Sequence, residues 1–81
     1  MGRFLHTHFI VVTMSPAPSR IRGVLRTIER GFLFEAGDGH VWRVEGAEPY
    51  AHLADHPVVV EAYRRTPTLL ELLWAGEDQQ P

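Results

Sequence analysis

The chain contains no cysteine and no lysine. Without cysteine it can form neither disulfide bonds nor cysteine-ligated metal sites, and it has no thiol nucleophile. A chain without disulfides suits a reducing compartment, so we predict a cytoplasmic location. All eight basic residues are arginines, against ten acidic residues, which gives a formal net charge of −2. A strongly basic surface, the usual electrostatic sign of a nucleic-acid-binding protein, is therefore missing.

Long apolar runs are missing as well. Near the N-terminus the uninterrupted apolar run covers only residues 9–12, whereas a membrane-spanning helix needs roughly 18–20 residues. The run is also shorter than the roughly 7–15 residues of a signal-peptide core, and His6 and His8 interrupt the approach to it. We predict no membrane segment and no signal peptide, and Met14 is an alternative translational start.

The length and the prolines define the predicted organisation. A chain of 81 residues suffices for one domain, because two would each be too small to bury a useful core. Pro16 and Pro18 remove backbone donors and favour extended backbone before them, which is typical of a linker. We predict an N-terminal arm and linker over residues 1–19, a barrel over 20–75 and a frayed polar tail over 76–81.

A β-hairpin is the strongest local pattern. Two segments of alternating apolar residues flank Gly37-Asp38-Gly39. A two-residue turn would pair Phe34 with Arg43 and mix charged with aromatic side chains on both faces. A three-residue loop that ends in a left-handed glycine pairs Phe34 with Trp42 and gives one apolar face. We therefore predict the three-residue loop, with an inner wall formed by Phe32, Phe34, Trp42 and Val44.

The other patterns predict three further strands and one short helix. Alternation predicts strands over 21–26 and 58–63, and a proline-started segment over 48–55 predicts the helix. Residues 69–74 fit either a capped helix or a strand. We predict the strand because barrel closure needs one there, with Leu70, Leu72 and Trp74 pointing inward. The predicted fold class is mainly β: a small five-stranded OB-like barrel with one short helix between strands 3 and 4.

The apolar spacing and the glycines also carry a family resemblance. The segments Ile21–Leu25, Gly31–Phe34, Val41–Val44 and Val58–Ala62 resemble a family of small, uncharacterised alphaproteobacterial OB-like barrel proteins. In that family the fourth strand tends to end in Glu-Gly, whereas this chain has Glu61-Ala62. The resemblance covers about two-thirds of the chain and implies the fold alone, because no functional residues are established for the family.

No catalytic or metal-binding constellation emerges from the sequence. His6 and His8 would share one face of a strand, but a zinc site needs three or four ligands and no carboxylate lies near them in sequence. Ser15 and Ser19 lie in the linker, where nothing rigid orients a nucleophile. Phosphate-cradling glycine motifs are absent. We predict a protein that is not an enzyme and that uses neither a cofactor nor a metal.

Apolar residues on the predicted outer face favour protein contact. Such residues mark an interface when several of them are contiguous, although residues 4–12 could equally fold back and cover them. We predict a protein-interaction module that contacts a protein partner or forms a homodimer, and that a charge introduced at Leu33 or Val41 abolishes the association. The predicted contact residues are Val24, Leu33, Val41 and Leu69.

Binding of single-stranded nucleic acid is the alternative. OB domains bind oligonucleotides on the face of strands 2 and 3 and through the loops between strands 1–2 and 4–5. The predicted outer face carries two acids, one base and no aromatic ring for stacking, which weighs against this function. In its favour are the candidate residues in those two loops, Arg30, Tyr63, Arg64 and Arg65.

Overall fold

The computed structural model describes residues 17–79 of the chain, and in them five strands and one short helix follow one another. The arm predicted for the N-terminus, including His6, His8 and the alternative start at Met14, lies almost wholly outside the described residues. The elements are β1 (Ser19–Ile28), β2 (Gly31–Ala36), β3 (Val41–Glu45), a 3₁₀ helix (Glu48–Leu53), β4 (Pro57–Thr66) and β5 (Leu69–Glu77).

The five strands close into a barrel with the neighbour order β1-β2-β3-β5-β4, and β4 pairs back onto β1. All ladders are antiparallel except the one between β3 and β5, which is parallel. Closure of the barrel supplies each strand with two neighbours and so removes sheet edges. The predicted fold class, a mainly β five-stranded barrel with one short helix between strands 3 and 4, is confirmed.

The β2–β3 hairpin has the predicted register. Phe34 lies opposite Trp42 and Phe32 opposite Val44. The amide of Ala36 donates to the carbonyl of His40 at 2.9 Å, which leaves residues 37–39 as the loop. Gly39 has φ +94°, a left-handed conformation that glycine adopts without steric cost. The loop therefore keeps the aromatic side chains on the inner face.

The core fills the inside of the barrel with small and medium side chains around two aromatic rings. Trp42 is only 6% exposed, and Phe34 is fully buried beside it. Alternate residues of every strand reach the core because successive side chains of a strand point to opposite faces. The buried hydrophobic residues are Leu25, Phe34, Trp42, Val44, Ala47, Leu53, Val58, Val60, Ala62, Leu70, Leu72 and Ala75.

The short helix covers the barrel at the end of β3. Pro49 stands in its first turn, as predicted, where a missing amide hydrogen costs nothing. Leu53 is buried and Tyr50 packs against the core, so one side of the helix faces inward. The helix is 3₁₀, and Tyr50 interrupts it with φ −111° and ψ 17°.

The inward orientation predicted for Trp74 is wrong. Residues 69–77 do form a strand, but its register with β4 shifts between Glu61, which faces Trp74, and Ala62, which faces Leu72. Leu73 is the extra residue of a β-bulge, and a bulge reverses the alternation beyond it. Ala75 therefore takes the inward position, and Trp74 is 44% exposed.

The barrel extends slightly beyond its predicted limits of 20–75. Ser19 opens β1 instead of belonging to the linker, and β5 continues to Glu77. The amide of Asp78 donates to the carbonyl of Pro57 at 3.0 Å, so the tail predicted to be frayed from residue 76 is held by β4 up to this point. Continued pairing with β4 supplies the backbone hydrogen bonds that a polar composition alone does not reveal.

Candidate functional site

The four predicted contact residues lie on one outer wall of the barrel, formed by β1, β2, β3 and β5. Each alternates with an inward core residue of its strand, as the pleat requires. Val41 is 45% exposed, and the other three are half-buried. We call this surface the sheet face, and it consists of Val24, Leu33, Val41 and Leu69.

Charged residues separate the apolar members of the sheet face. Leu33 lies between Arg26 of β1 and Arg43 of β3, and Arg43 in turn lies opposite Leu69. The apolar side chains are consequently diagonal neighbours, about 7–8 Å apart, and not direct cross-strand pairs. The structure brings all four predicted residues to one wall but intersperses them with charge.

Arg26 is the centre of the charge network on this wall. Its guanidinium donates to Asp55 and to Glu35, both at 3.0 Å. Hydrogen bonds to Asp55 and Glu35 and the charge of Glu35 hold the pKa of Arg26 above its ordinary value. Exposed ion pairs of this kind contribute little stability, so the network mainly fixes the polar pattern around Leu33.

A second apolar surface lies around the bulge of β5. Leu73 is 43% exposed and Trp74 44%. The indole of Trp74 lies over Gly76, because a Cβ at Gly76 would come within 2.5–2.6 Å of the ring. Half-buried Val59 lies opposite Gly76, and Glu61 lies opposite Trp74. We call Leu73, Trp74 and Val59 the bulge face.

Sequence reasoning missed Trp74 as a surface residue because strict alternation placed it inside. The only signal in the sequence is Gly76 two positions later, on the same side of the strand. A glycine there leaves the strand surface open for a neighbouring aromatic ring, as in the covering of strand glycines by aromatic side chains in designed sheets.

The four candidate nucleic-acid residues do not form one cluster. Arg30 precedes β2, whereas Tyr63, Arg64 and Arg65 lie near the end of β4, next to the hairpin loop that follows β2. A strand of this length separates its two ends by roughly 17–20 Å. Arg30 therefore lies at the opposite end of the barrel wall from the other three.

The arginines near the end of β4 each lie over an aromatic ring. The guanidinium carbon of Arg64 is 5.6 Å from the centroid of Trp42, and that of Arg65 is 4.6 Å from the centroid of Tyr63. Both distances fall within the range of cation–π attraction. Arg65 also donates to Glu71 at 2.6 Å, whereas Arg64 has no carboxylate partner among the described residues.

These residues border an open cavity of about 460 Å³ between the hairpin loop and the β4–β5 turn. We call it the turn cavity. The hairpin contributes Asp38, His40 and Trp42 to its lining, and the other side is formed by residues 64–67. Cavities of roughly 300–1,000 Å³ hold small organic ligands in proteins. The size therefore suits a small molecule.

Hydrogen bonds fix the position of His40 at the rim of the turn cavity. Its amide donates to the carboxylate of Asp38 at 2.9 Å. Its Nε2 is 2.8 Å from the carbonyl of Pro67, and since a carbonyl only accepts, Nε2 carries the hydrogen. The ring lies 4.0 Å from that of Trp42 at a tilt of 36°. The two sides of the turn cavity are thus tied together through this histidine.

Trp42 has one unsatisfied polar atom. Its Nε1 is buried and finds no hydrogen-bond partner among the described residues. An unpaired buried donor costs about 1–3 kcal/mol. The ring of Trp42 therefore fills space inside the barrel, and its Nε1 could still donate a hydrogen bond to an acceptor that reaches it.

The described part of the chain shows neither a metal-binding cluster nor a membrane-spanning helix. No three potential ligand side chains of residues 17–79 come together as a metal site. Within the same residues, no helix has the length and hydropathy of a membrane-spanning segment.

The chain matches the model of one protein family, described as "Protein of unknown function (DUF5818)", over residues 22–78. This range runs from Arg22 in β1 to Asp78, just beyond β5. No curated protein and no solved structure matches the chain significantly.

Proposed function

The chain belongs to this family of proteins of unknown function, and we propose that it is a non-enzymatic protein-binding module that self-associates. The proposed location is the bacterial cytoplasm, with which a cysteine-free composition is compatible. The observation that carries the proposal is the bulge face, where a tryptophan and a leucine on one strand are each more than 40% exposed.

The chemistry of Trp74 supports a role in contact. Tryptophan is among the residues that dominate the binding energy of protein interfaces. Its ring rests on Gly76 and is therefore already placed before a partner arrives. A side chain that is held in its bound position loses less conformational entropy on binding. An exposed, pre-placed indole next to Leu73 is thus suited to be the anchor of an interface.

A second copy of the chain is the partner that the charge pattern fits. Arg20 pairs with Glu61 at 2.8 Å directly beside Trp74, so both signs of charge flank the apolar residues. A two-fold interface brings the same patch of two subunits together and must be self-complementary. With a formal net charge of only −2, repulsion between copies is small.

The test is sedimentation of the full chain over a range of concentrations, together with Trp74→Glu. We expect the wild type to self-associate, and we expect Trp74→Glu to raise the dissociation constant at least about tenfold. The reason is that loss of an interface anchor costs about 2 kcal/mol or more of binding free energy. Trp74 is 44% exposed, so the fold tolerates the change. A wild type that is monomeric at every concentration, with no partner recovered by pull-down, contradicts the proposal.

The sheet face is the second candidate surface for the same function. Val41 is its most exposed member, so Val41→Glu is the matched charge substitution. In contrast to the expectation from the sequence, we now expect Val41→Glu to leave self-association intact, because Arg26, Glu35 and Arg43 intersperse this wall with charge. If Val41→Glu dissociates the protein and Trp74→Glu does not, the contact lies on the sheet face.

Single-stranded nucleic-acid binding remains the alternative function. The strand order supports the proposal that the barrel is an OB fold, whose members bind oligonucleotides near the 4–5 loop. Arg64 and Arg65 at that turn, each over an aromatic ring, are the specific observation in its favour. Its signature is an affinity for oligonucleotides that falls as salt is added.

A further inference from the structure

The turn cavity combines the two kinds of group that recognise a nucleotide. Arg64 and Arg65 line one side with guanidinium groups, which donate several hydrogen bonds in a geometry that matches phosphate. His40 on the hairpin side and Pro67 next to the arginines add exposed ring surfaces, and histidine is one of the side chains on which bases stack. We propose that the turn cavity binds the phosphate and base of a single nucleotide.

Arg64 is the residue that would hold the phosphate. Arg65 is already hydrogen-bonded to Glu71, whereas Arg64 makes no ion pair with any described residue and contacts only the face of the Trp42 ring among those residues' aromatic groups. Among the described residues of the lining, Asp38 is the one carboxylate beside the two arginines, and it accepts from the amide of His40. Because Glu71 offsets the charge of Arg65, Arg64 is the guanidinium that offers its charge to the open volume.

The surrounding structure keeps the turn cavity in shape. His40 bridges the hairpin loop to the β4–β5 turn through the carbonyl of Pro67, and the amide of Arg43 donates to the carbonyl of Thr68 at 2.8 Å. Two loops that are tied together at both points form a largely preformed site, which is typical of small-molecule pockets.

Trp42 supplies a direct readout of binding. Its ring lies beneath Arg64 and beside His40, so a nucleotide that engages either group changes the environment of the indole. The chain has two tryptophans, and Trp74→Phe leaves Trp42 as the only one. Movement of Arg64 towards a phosphate would also uncover the indole, whose Nε1 lacks a partner among the described residues.

The experiment titrates Trp74→Phe with adenosine monophosphate and follows the fluorescence of Trp42. We expect a saturable change, with amide shifts in the wild type confined to the hairpin loop and the β4–β5 turn. Arg64→Gln should weaken binding at least about tenfold, as expected when a charged hydrogen-bonding group is lost. Arg30→Gln is the matched control: it removes the same charge at the opposite end of the wall and should change the affinity less than twofold.

Three further probes identify the source of the nucleotide. A free mononucleotide and a 5′-phosphorylated single-stranded oligonucleotide both present a phosphate next to a base. If the oligonucleotide binds more tightly than the mononucleotide and shifts the same amide resonances, the site binds the end of a strand. The unphosphorylated oligonucleotide tests the contribution of the bases, and inorganic phosphate tests that of the phosphate group. Each should bind more weakly than adenosine monophosphate and the phosphorylated oligonucleotide.

Several results would overturn the proposal. Inorganic phosphate that binds as well as adenosine monophosphate would reduce the site to a general anion site. Equal losses in Arg64→Gln and Arg30→Gln would show unspecific charge attraction. Shifts spread over the sheet face without any mononucleotide binding would indicate strand binding there instead. The amide shifts of the wild type decide the location even if Arg64→Gln is poorly folded. The proposal does not rest on self-association, so either can fail alone.

Discussion

Two glycines of the barrel wall lie beneath aromatic rings, and their constraints differ in kind. A Cβ at Gly23 would lie 2.1 Å from the carbonyl oxygen of Glu35 and 2.8 Å from the ring of Phe34. At Gly76, by contrast, the three atoms nearest to an added Cβ all belong to the ring of Trp74. A backbone carbonyl and a buried ring cannot yield, whereas an exposed indole can tilt outward. Gly23 is therefore required for packing of the core. Gly76 is required for the position of the Trp74 ring on the bulge face.

Gly23→Ala should strongly destabilise the protein. The added methyl group forces β1 away from β2 or pushes Phe34 out of its position, and overpacking of this kind costs about 1–3 kcal/mol or more. Urea denaturation measures the loss. Gly37→Ala is the matched control in the same sequence region, because the atom nearest to its Cβ is 4.0 Å away. A similar loss of stability in both variants would show that the close contact at Gly23 is not the cause.

At the scale of elements, local rules predict the hairpin but not the bulge. The loop length and the alternation of the segments around Gly37-Asp38-Gly39 leave one register with a clean apolar face, and that register is observed. The bulge at Leu73 has no local signature, because the preceding Leu72 has the same side chain and either leucine suits the core. Its position follows from the twist and curvature that closure of the barrel imposes on β4 and β5. Trp74 was misplaced for this reason, although the strand itself was predicted.

The ladder between β3 and β5 should be the first to open. It spans only the pairs from Arg43–Leu69 to Glu45–Glu71, whereas every other ladder of the barrel is longer. Short ladders with few hydrogen bonds open locally at low free energy. Native-state hydrogen exchange should therefore show faster exchange at the amide of Arg43, which donates to Thr68, than at the central amides of β4. Uniform protection, or earlier opening between β1 and β4, would refute this order.

At the scale of the whole molecule, the sequence predicts which side chains face outward from the barrel better than it predicts which residues come together as a binding site. The four sheet-face residues and the core could be assigned because the pleat fixes which side chains face outward. The turn cavity could not be foreseen as a site, since it joins the hairpin loop to residues 64–67, which are far apart in sequence. The sequence predicts Arg64 and Arg65 near the β4–β5 turn, but the contact of Arg64 with Trp42 depends on the barrel bringing β3 and β4 together at this end.

The bulge face and the turn cavity share no residue, and this separation predicts independent binding. A ligand shifts an association equilibrium only to the extent that it binds the two states with different affinity. A nucleotide held by Arg64 and His40 would touch neither Leu73 nor Trp74, because neither residue lines the turn cavity. Saturating adenosine monophosphate should therefore change the self-association constant, measured by sedimentation, less than about twofold. The Arg65–Glu71 pair is the nearest link from the turn cavity to β5, so a tenfold change that Glu71→Gln removes would show that this pair couples them.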